Sequence, residues 1–205
     1  KYKDGDEPFI EFDSSNTHDL LVFTNQCQVY KCKVAAFEDT KSAQLGSYLP
    51  TDLEMDADET VTWVIDPEDY KADVLFVFEN GRVARVALSG YATKTNRKRL
   101  KNAIYGGSKL MYATVLKEER DLALVSSDYR LVNFNTSLLK TKTTNSTQGV
   151  QALTIKGSRT VTMVGTAEEF IGGKAQVEKF RAEKLPSAGA PMKETDMKSL
   201  FDLEE

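Results

Sequence analysis

The sequence predicts an all-β protein built from repeated blades, each one a four-stranded antiparallel sheet. Three similar units follow one another at a period of roughly 50 residues, and short apolar strands alternate with turn residues within each unit. A repeat of that length made of strands and turns is typical of propeller blades. Helical periodicity is weak up to residue 165, which also favours the all-β class.

The first anchor of the repeat is a hairpin, in which an apolar strand, a polar turn and a more polar strand follow one another. The first strand is almost wholly apolar, as expected when neighbouring sheets cover both of its faces. Asn80-Gly81 predicts a tight type I′ turn, which needs positive φ at both central residues. Because Cys27 and Tyr129 replace the glycine elsewhere, we expect those turns to be longer or differently shaped. The three hairpins are Leu20–Lys31, Val74–Arg85 and Leu122–Asn133.

Two further anchors keep the same order along the chain. A Thr-Lys pair follows each hairpin, and a valine within a strand-like segment closes each unit. Three anchors in one order predict blades at about 18–70, 72–119 and 120–165, within one domain over residues 1–185. The Thr-Lys pairs are Thr40-Lys41, Thr93-Lys94 and Thr141-Lys142, and the valines are Val64, Val115 and Val164.

The C-terminal part of the chain departs from this repeat. Residues 167–184 are compatible with a short helix or with a last docked strand. From Pro186 onward, a run of Pro, Ser, Ala and Gly precedes a polar, acidic segment that is poor in apolar residues. Such a composition favours disorder. We therefore expect residues 186–205 to form a flexible acidic tail.

Charge is distributed unevenly along the chain, although the net charge is only −4. Residues 1–73 carry 6 basic and 17 acidic side chains, whereas residues 74–165 carry 15 basic and 5 acidic ones. An acidic protein with a basic middle can still bind nucleic acid through that middle.

Neither a membrane segment nor a disulfide is expected. The apolar runs are far too short to span a bilayer, and the charged N-terminal residues do not resemble a signal peptide. The absence of an initiator Met suggests a fragment of a longer, cytoplasmic protein. Cys27 and Cys32 have an odd spacing along a strand, which directs their side chains to opposite faces. Two cysteines and one histidine also do not make up a structural zinc site.

The hairpins carry a resemblance to a known family. The segment Phe23-Thr-Asn-Gln-Cys-Gln-Val-Tyr-Lys31 resembles the blade hairpin in the C-terminal domain of bacterial type IIA topoisomerase A subunits, those of gyrase and topoisomerase IV. Thr17-His18-Asp19 is similar to the family's lead-in to a blade, and Thr147–Val150 to a turn late in its final blades. The resemblance covers roughly residues 9–165.

The resemblance implies a β-pinwheel, a propeller-like fold whose neighbouring blades exchange strands, with DNA bent around a basic outer rim. It implies that the chain binds and wraps double-stranded DNA without sequence specificity. The bent DNA would be presented to the catalytic core of the same subunit. Phe9–Phe12 would be a strand of a blade upstream. The gyrase box, a Gln-Arg-Arg-Gly-Gly-Lys-Gly-like run, is not found in this sequence, so gyrase and topoisomerase IV both stay open.

The resemblance also places the chemistry of the enzyme outside this chain. An ATP-dependent topoisomerase would include an ATPase B subunit, and both ATP and Mg²⁺ would bind elsewhere in that complex. No residue of this chain matches the family's catalytic tyrosine or its metal-binding acidic cluster, so no catalytic or metal-binding residue is assigned. No membrane partner is expected.

The candidate DNA contacts are basic residues of the hairpins and of the segments that follow them. Between Glu79 and Lys117 there are nine basic residues and one acidic residue, a density suited to neutralising phosphates. Lysines at one position of successive blades would line one rim, although a lysine-rich loop can also be merely a solvated surface. The candidates are Lys31, Lys41, Arg82, Arg85, Lys94, Arg97, Lys98, Arg99, Lys101 and Lys142.

Other residues have simpler interpretations. His18 is expected in a turn, Trp63 in the core, and the acidic run from Asp52 to Glu59 in an exposed loop that lacks the glycine of a calcium site.

The main alternative function is a propeller that binds a partner protein and has no role on DNA. The Gly-His and Trp-Asp signatures of the commonest such propellers are absent. A propeller enzyme is disfavoured because the sequence shows no Ser/His/Asp arrangement, no phosphate-binding glycine loop and no paired general acid and base.

Overall fold

The computed structural model describes residues 7–41, 44–93, 98–170 and 173–196. It contains three four-stranded antiparallel sheets and short helical segments, which confirms the predicted all-β class. The strands are β1 Asp19–Thr24, β2 Val29–Lys33, β3 Val61–Ile65, β4 Asp73–Phe78, β5 Arg82–Ala87, β6 Arg99–Leu100, β7 Leu110–Leu116, β8 Asp121–Ser126, β9 Arg130–Asn135, β10 Val150–Gln151, β11 Val161–Thr166 and β12 Ala190–Pro191. The helices are α1 Leu49–Asp52 and α2 Gly173–Val177, with 3-10 turns at Val34–Ala36, Leu88–Tyr91, Thr136–Leu138, Ala167–Glu169 and Glu178–Phe180.

Each sheet takes its outermost strand from a later part of the chain. The strand orders are β3-β1-β2-β6 in sheet 1, β10-β5-β4-β7 in sheet 2 and β11-β8-β9-β12 in sheet 3. The predicted ranges 18–70, 72–119 and 120–165 therefore hold three strands of each blade, while the fourth lies in the following unit or, for sheet 3, beyond residue 165. Strand exchange of this kind is the β-pinwheel arrangement.

The three hairpin turns share one geometry. The backbone N–H of Cys27, Gly81 or Tyr129 donates to the carbonyl three residues earlier, and all three residues have positive φ, between 56° and 80°. Asn80 is not among the positive-φ residues, so the turn is a type I turn followed by a left-handed residue. Both turn predictions are wrong: the Asn-Gly turn is not type I′, and the other two turns are not different in shape.

The core lies between the sheets. Phe23 of sheet 1 packs edge-on against Phe76 of sheet 2, with ring centroids 5.1 Å apart, and both rings contact the buried Tyr91. The Tyr91 hydroxyl donates to the carbonyl of Ala103 at 2.6 Å, which satisfies its polar atom inside the core. A second cluster, which includes Leu75 and Phe134, fills the space between sheets 2 and 3. Apolar strands covered on both faces follow directly from this stacking.

The far face of sheet 3 is covered by the segment that follows β11. Ala167, Phe170, Val177 and Phe180 pack on that face against the buried Leu131. This segment combines the two forms expected from the sequence, since it holds helical turns and also a bridge from its Arg181 to strand β9.

The predicted boundary of a flexible tail at residue 186 is wrong. Ala190–Pro191 form strand β12, Met192 is 8% exposed, and the Asp196 carboxylate is paired with Lys179. Pairing of Ala190 and Pro191 with strand β9, together with burial of Met192, docks a segment whose composition is otherwise typical of disorder. Residues 197–205 lie outside the described residues.

The cysteines and Trp63 agree with expectation, whereas Phe9–Phe12 do not. Cys27 and Cys32 are free and half-buried. Trp63 is half-buried and packs against both main clusters, with its ring 5.3 Å from those of Phe9 and Tyr112. Phe9–Phe12 form no strand in this structure. No helix among the described residues is long and apolar enough to cross a membrane.

A pair of glycines tests the turn geometry. Gly81 and Gly157 both have positive φ, but a Cβ on Gly81 would lie 2.1 Å from the carbonyl oxygen of Leu153, whereas a Cβ on Gly157 would meet open space. Gly157→Ala should cost only the conformational strain, about 1 kcal/mol. Gly81→Ala should cost about 1–3 kcal/mol more, because the segment around strand β10 must shift. Urea unfolding of both variants measures the difference, and equal losses would contradict the close approach.

Candidate nucleic-acid interface

The exchanged strands bring basic residues to the outer edges of consecutive sheets. Lys98 and Lys101 flank strand β6 at the edge of sheet 1, where the N–H of Lys31 donates to the carbonyl of Lys98 at 2.7 Å. Lys142 bridges to strand β5 at the edge of sheet 2, since its N–H donates to the carbonyl of Arg85 at 2.8 Å. Backbone hydrogen bonds thus fix the positions of these lysines at the sheet edges.

Two of the Thr-Lys anchors begin at the edge of the preceding sheet and not in their own blade. The Lys31 ammonium donates to the Thr93 hydroxyl oxygen at 2.7 Å, which places Thr93 beside sheet 1. The Thr141 hydroxyl donates to the Asp73 carboxylate at 2.6 Å, beside sheet 2. Assignment of these two anchors to their own blades was wrong, because each precedes a strand that pairs with the preceding sheet. Lys94 and Arg97 lie outside the described residues.

Four of the predicted residues present free cations. Lys41, Lys98, Lys101 and Lys142 are exposed, and within the described ranges no carboxylate lies within ion-pairing distance of them. Lys41 lies in the connection between β2 and β3, apart from the exchanged strands. An ammonium without an internal partner can exchange its counterion for a phosphate at little cost.

Arg85 is held inside the protein. Its side chain is 16% exposed, and its guanidinium donates to the Asp73 carboxylate at 2.6 Å and the Glu119 carboxylate at 2.8 Å. It also lies 3.4 Å from the carbonyl oxygens of Thr136 and Leu139. These partners belong to sheet 2 and to the turns around sheet 3, so Arg85 ties two blades together. Local sequence patterns do not reveal these acidic partners, because Glu119 lies 34 residues away.

The equivalent position differs in each blade. Lys31 in sheet 1 donates to Thr93, and Arg85 in sheet 2 forms the pairs just described. In sheet 3 the position is Asn133, which is completely buried, and its side-chain amide has no hydrogen-bond partner among the described residues. There Arg181, from the covering segment, pairs with Asp121 at 3.2 Å. The side chain at this position therefore bonds a later segment in sheets 1 and 2, whereas in sheet 3 Arg181 makes the corresponding link.

Arg99 bonds other side chains of the protein, and Arg82 is half-buried, so neither is as accessible as the free lysines. The Arg99 guanidinium donates to the Tyr30 hydroxyl at 3.2 Å and lies 3.4 Å from the Asp56 carboxylate. Arg82 is half-buried and lies opposite Gln151 of strand β10. Arg99 is only 36% exposed, and its charge is partly offset by Asp56, so it is a weaker candidate than the free lysines.

The acidic loop beside Arg99 differs from expectation at one residue. Asp52, Glu54, Asp56 and Asp58 are exposed, as expected, but Glu59 is 4% exposed. The buried carboxylate accepts hydrogen bonds from the side chains of Thr24, Gln28 and Tyr30, and Asp56 N–H also donates to it. Neutral donors thus compensate for its desolvation. The sequence of this acidic run does not show which of its carboxylates is buried. In the described part of the chain, no group of three His, Cys, Asp or Glu could hold a metal ion.

His18 has a role that the sequence did not reveal. Its Nδ1 lies 2.8 Å from the Asp66 carboxylate, which also accepts a hydrogen bond from Ser14. Burial raises the pKa of Asp66, but the hydrogen bonds from Ser14 and His18 outweigh it and hold the pKa below its ordinary value. The contact links the start of strand β1 to the residue after strand β3, so it fixes the entry and exit of the first blade.

No protein-family model matches the chain. Among curated proteins, the A subunit of DNA topoisomerase 4 from Staphylococcus aureus strain MRSA252 is 23% identical over 171 residues, which cover 82% of this chain and 21% of that protein. The A subunit of DNA topoisomerase 4 from Bacillus subtilis strain 168 is 29% identical over 100 residues, covering 48% of this chain and 12% of that protein.

Solved structures share the fold. The C-terminal domain of E. coli ParC superposes with a TM-score of 0.70 at 14% identity, over 95% of this chain and 84% of that one. A crystal structure of the C-terminal domain of DNA topoisomerase IV gives a TM-score of 0.64 at 22% identity, over 74% of this chain and 47% of that one. The chain shares the β-pinwheel fold of these C-terminal domains, and its sequence is similar to that of topoisomerase 4 A subunits. This pinwheel spans about a fifth of the length of the curated relative from Staphylococcus aureus.

The role of Arg85 in this pinwheel can be separated from that of the free lysines. Arg85→Met leaves Asp73 and Glu119 without their cation and should lower the free energy of unfolding by roughly 2–4 kcal/mol. Lys142→Met removes an exposed, unpaired charge and should change it by less than about 0.5 kcal/mol. Urea denaturation measures both variants. Equal stability of the two would show that the Arg85 ion pairs hold nothing together.

Acid should weaken the same contact. The hydrogen bond from Thr136 and the Arg85 guanidinium hold the pKa of Glu119 below its ordinary value. A lowered pKa gives stability that is present above the unfolded-state pKa, about 4.3, and that is lost as the pH falls through the folded-state value. Glu119→Gln should therefore flatten stability against pH below about 5. Unfolding curves between pH 3 and pH 7, roughly, test this, and an unchanged slope in the variant would contradict it.

Proposed function

We propose that the chain binds double-stranded DNA without sequence specificity along the outer edges of its sheets and bends the duplex around them. The observation that carries the proposal is the position of the free cations. Lys98, Lys101 and Lys142 are exposed, lack internal partners among the described residues and lie on or beside the exchanged segments of consecutive sheets. The similar C-terminal domains of topoisomerase A subunits support a role on DNA.

The chemistry of these edges suits contacts with phosphate. Lysine ammonium groups neutralise phosphates and release counterions, and this gain does not depend on base sequence. Arginine would add paired hydrogen bonds to phosphate, but Arg85 uses its donors inside the protein. The free lysines are therefore the main contacts, and Arg82 and Arg99 contribute with the part of their surface that stays exposed.

A rigid succession of sheets can bend DNA. Smooth bending of 20–30 base pairs by 40–90° costs about 1–6 kcal/mol, and contacts on several blades must offset it. The exchanged strands fix each cation relative to two neighbouring repeats, so the protein does not have to be ordered when DNA binds. Such preorganisation directs the phosphate attraction toward bending the duplex.

The wider role extends beyond this chain. As part of an A subunit, the pinwheel would present bent DNA to the catalytic core of the same polypeptide, together with an ATPase B subunit, in a cytoplasmic ATP-dependent topoisomerase. ATP and Mg²⁺ would act in those other parts. The residues of this chain supply only binding and bending, so their contribution is measured on DNA directly and not through turnover.

Replacing the free lysines tests the proposal. The triple change Lys98→Gln, Lys101→Gln and Lys142→Gln should weaken duplex binding at low salt. The slope of log affinity against log salt should fall by about 2.7, since each lost phosphate contact removes roughly 0.9. Fluorescence anisotropy with a labelled duplex at several salt concentrations measures both quantities.

A charge-matched variant serves as the control. Lys33→Gln, Lys71→Gln and Lys117→Gln remove the same number of charges, yet all three ammonium groups are already paired with carboxylates and none lies on an exchanged strand. This variant should keep most of the affinity and the slope. Equal losses in the two variants would mean that DNA responds only to net charge, and the proposed edge surface would be wrong.

A further inference from the structure

Residues 181–192 follow the same path across sheet 3 as residues 141–152 follow across sheet 2. In each segment one backbone N–H donates to the second hairpin strand, and a last N–H donates to the turn of the hairpin. Between them, a glycine with positive φ precedes the edge strand, and its N–H donates to a hydroxyl oxygen two residues earlier. The equivalent residues lie forty positions apart: Lys142 and Ala182, Gly149 and Gly189, Ala152 and Met192.

A side chain at the start of each segment also makes the same contact. The Thr141 hydroxyl donates to the Asp73 carboxylate at 2.6 Å, and the Arg181 guanidinium donates to the Asp121 carboxylate at 3.2 Å. The two acids are the first residues of strands β4 and β8. The segments share only the glycine in sequence, so their equivalence follows from these bonds, and the two edges can be compared residue by residue.

The two edges differ in charge. Residues 140–152 contain two lysines and no acidic residue. Both Lys140 and Lys142 are exposed, and no carboxylate of the described residues lies within ion-pairing distance of them. Forty positions later, sheet 3 has Phe180, which is 7% exposed, and the half-buried Ala182. The edge of sheet 3 therefore lacks both of the free cations that the edge of sheet 2 presents.

The arginines near the edge of sheet 3 are occupied by the protein itself. The Arg181 guanidinium is paired with three carboxylates. Arg130 donates to two backbone carbonyls of the segment, at 2.8 and 2.6 Å. Lys184 is exposed and has no ion-pair partner in the described part of the chain, but it directly follows the exposed Glu183. One free ammonium beside a carboxylate attracts phosphate only weakly.

We propose that a duplex held by the edges of sheets 1 and 2 leaves the protein before the edge of sheet 3, because Ala182 stands where sheet 2 has Lys142. The inference rests on the proposed DNA binding and adds where the contact ends. Bending a stiff duplex has to be offset by contacts, and each contact needs a cation that is free to neutralise a phosphate. Where the free cations end, the duplex straightens away from the protein.

Cleavage of DNA by a tethered iron chelate tests where the duplex lies. Gln148 and Ala188 are exposed and equivalent, so Gln148→Cys and Ala188→Cys place the same label on the edges of sheets 2 and 3. The label at 148 should cut a bound duplex. The label at 188 should cut no more than the unaltered chain treated with the same reagent, which accounts for Cys27 and Cys32.

The other outcomes of this experiment are distinct from one another. Equal cutting from both labels would mean that the duplex continues across sheet 3. The proposed limit would then be overturned, while DNA binding along the edges would stand. Cutting from neither label, with DNA bound, would overturn the proposed edge surface and the limit together.

Restoring the cation tests why the contact ends. A lysine at position 182 can lay its stem along the surface and keep its ammonium in water. Ala182→Lys should increase the magnitude of the slope of log affinity against log salt by about 0.9 and should allow cutting from the label at 188. Ser158→Lys adds the same charge at an exposed position away from the exchanged segments and should change neither. An unchanged slope in an Ala182→Lys variant with an unaltered melting temperature would overturn the proposal.

Discussion

Backbone pairing between each sheet and a segment of a later repeat is the interaction on which the rest of this structure depends. Without strands β6, β10 and β12 every blade would have three strands and an open outer edge, and edges of that kind invite pairing with other chains. The same pairing fixes the order of the blades, because a strand of each later repeat is hydrogen-bonded into the sheet of the repeat before it. It also determines the surface, since the exchanged segments carry Lys98, Lys101 and Lys142 outward.

Basic residues in this chain serve two purposes that their positions separate. Arg85 and Arg181 face carboxylates between packed layers, where an unpaired charge would be costly. The exposed lysines on the exchanged segments have no such partners among the described residues and keep their charge available. The division follows the architecture: Arg85 lies on the second hairpin strand of sheet 2 and Arg181 in the segment that covers sheet 3, whereas the exchanged segments lie at sheet edges. The backbone ladder therefore fixes the position of the charges that would contact DNA under the proposed function.

Much of this could be predicted from the sequence. The blades followed from local patterns, namely apolar strands, turn residues and a repeated order of anchors. The exchange of strands came only from the family resemblance, because a two-residue strand such as β10 has no pattern of its own. The ion pairs of Arg85 were missed for a similar reason. Its partner Glu119 is remote in sequence, and the sequence alone does not distinguish a buried arginine from an exposed one. The turn at Asn80-Gly81 was misassigned because the same dipeptide fits both a two-residue and a three-residue hairpin loop.

The proposed bending of duplex DNA around the outer edges of the sheets can be measured by energy transfer. Dyes are attached to the two ends of a duplex of about 20 base pairs, because smooth bending brings the ends together. We expect higher transfer efficiency in the complex with the unaltered chain and little increase when Lys98, Lys101 and Lys142 are replaced by glutamine. Saturated binding with an unchanged distance between the ends would show that the edges do not bend DNA.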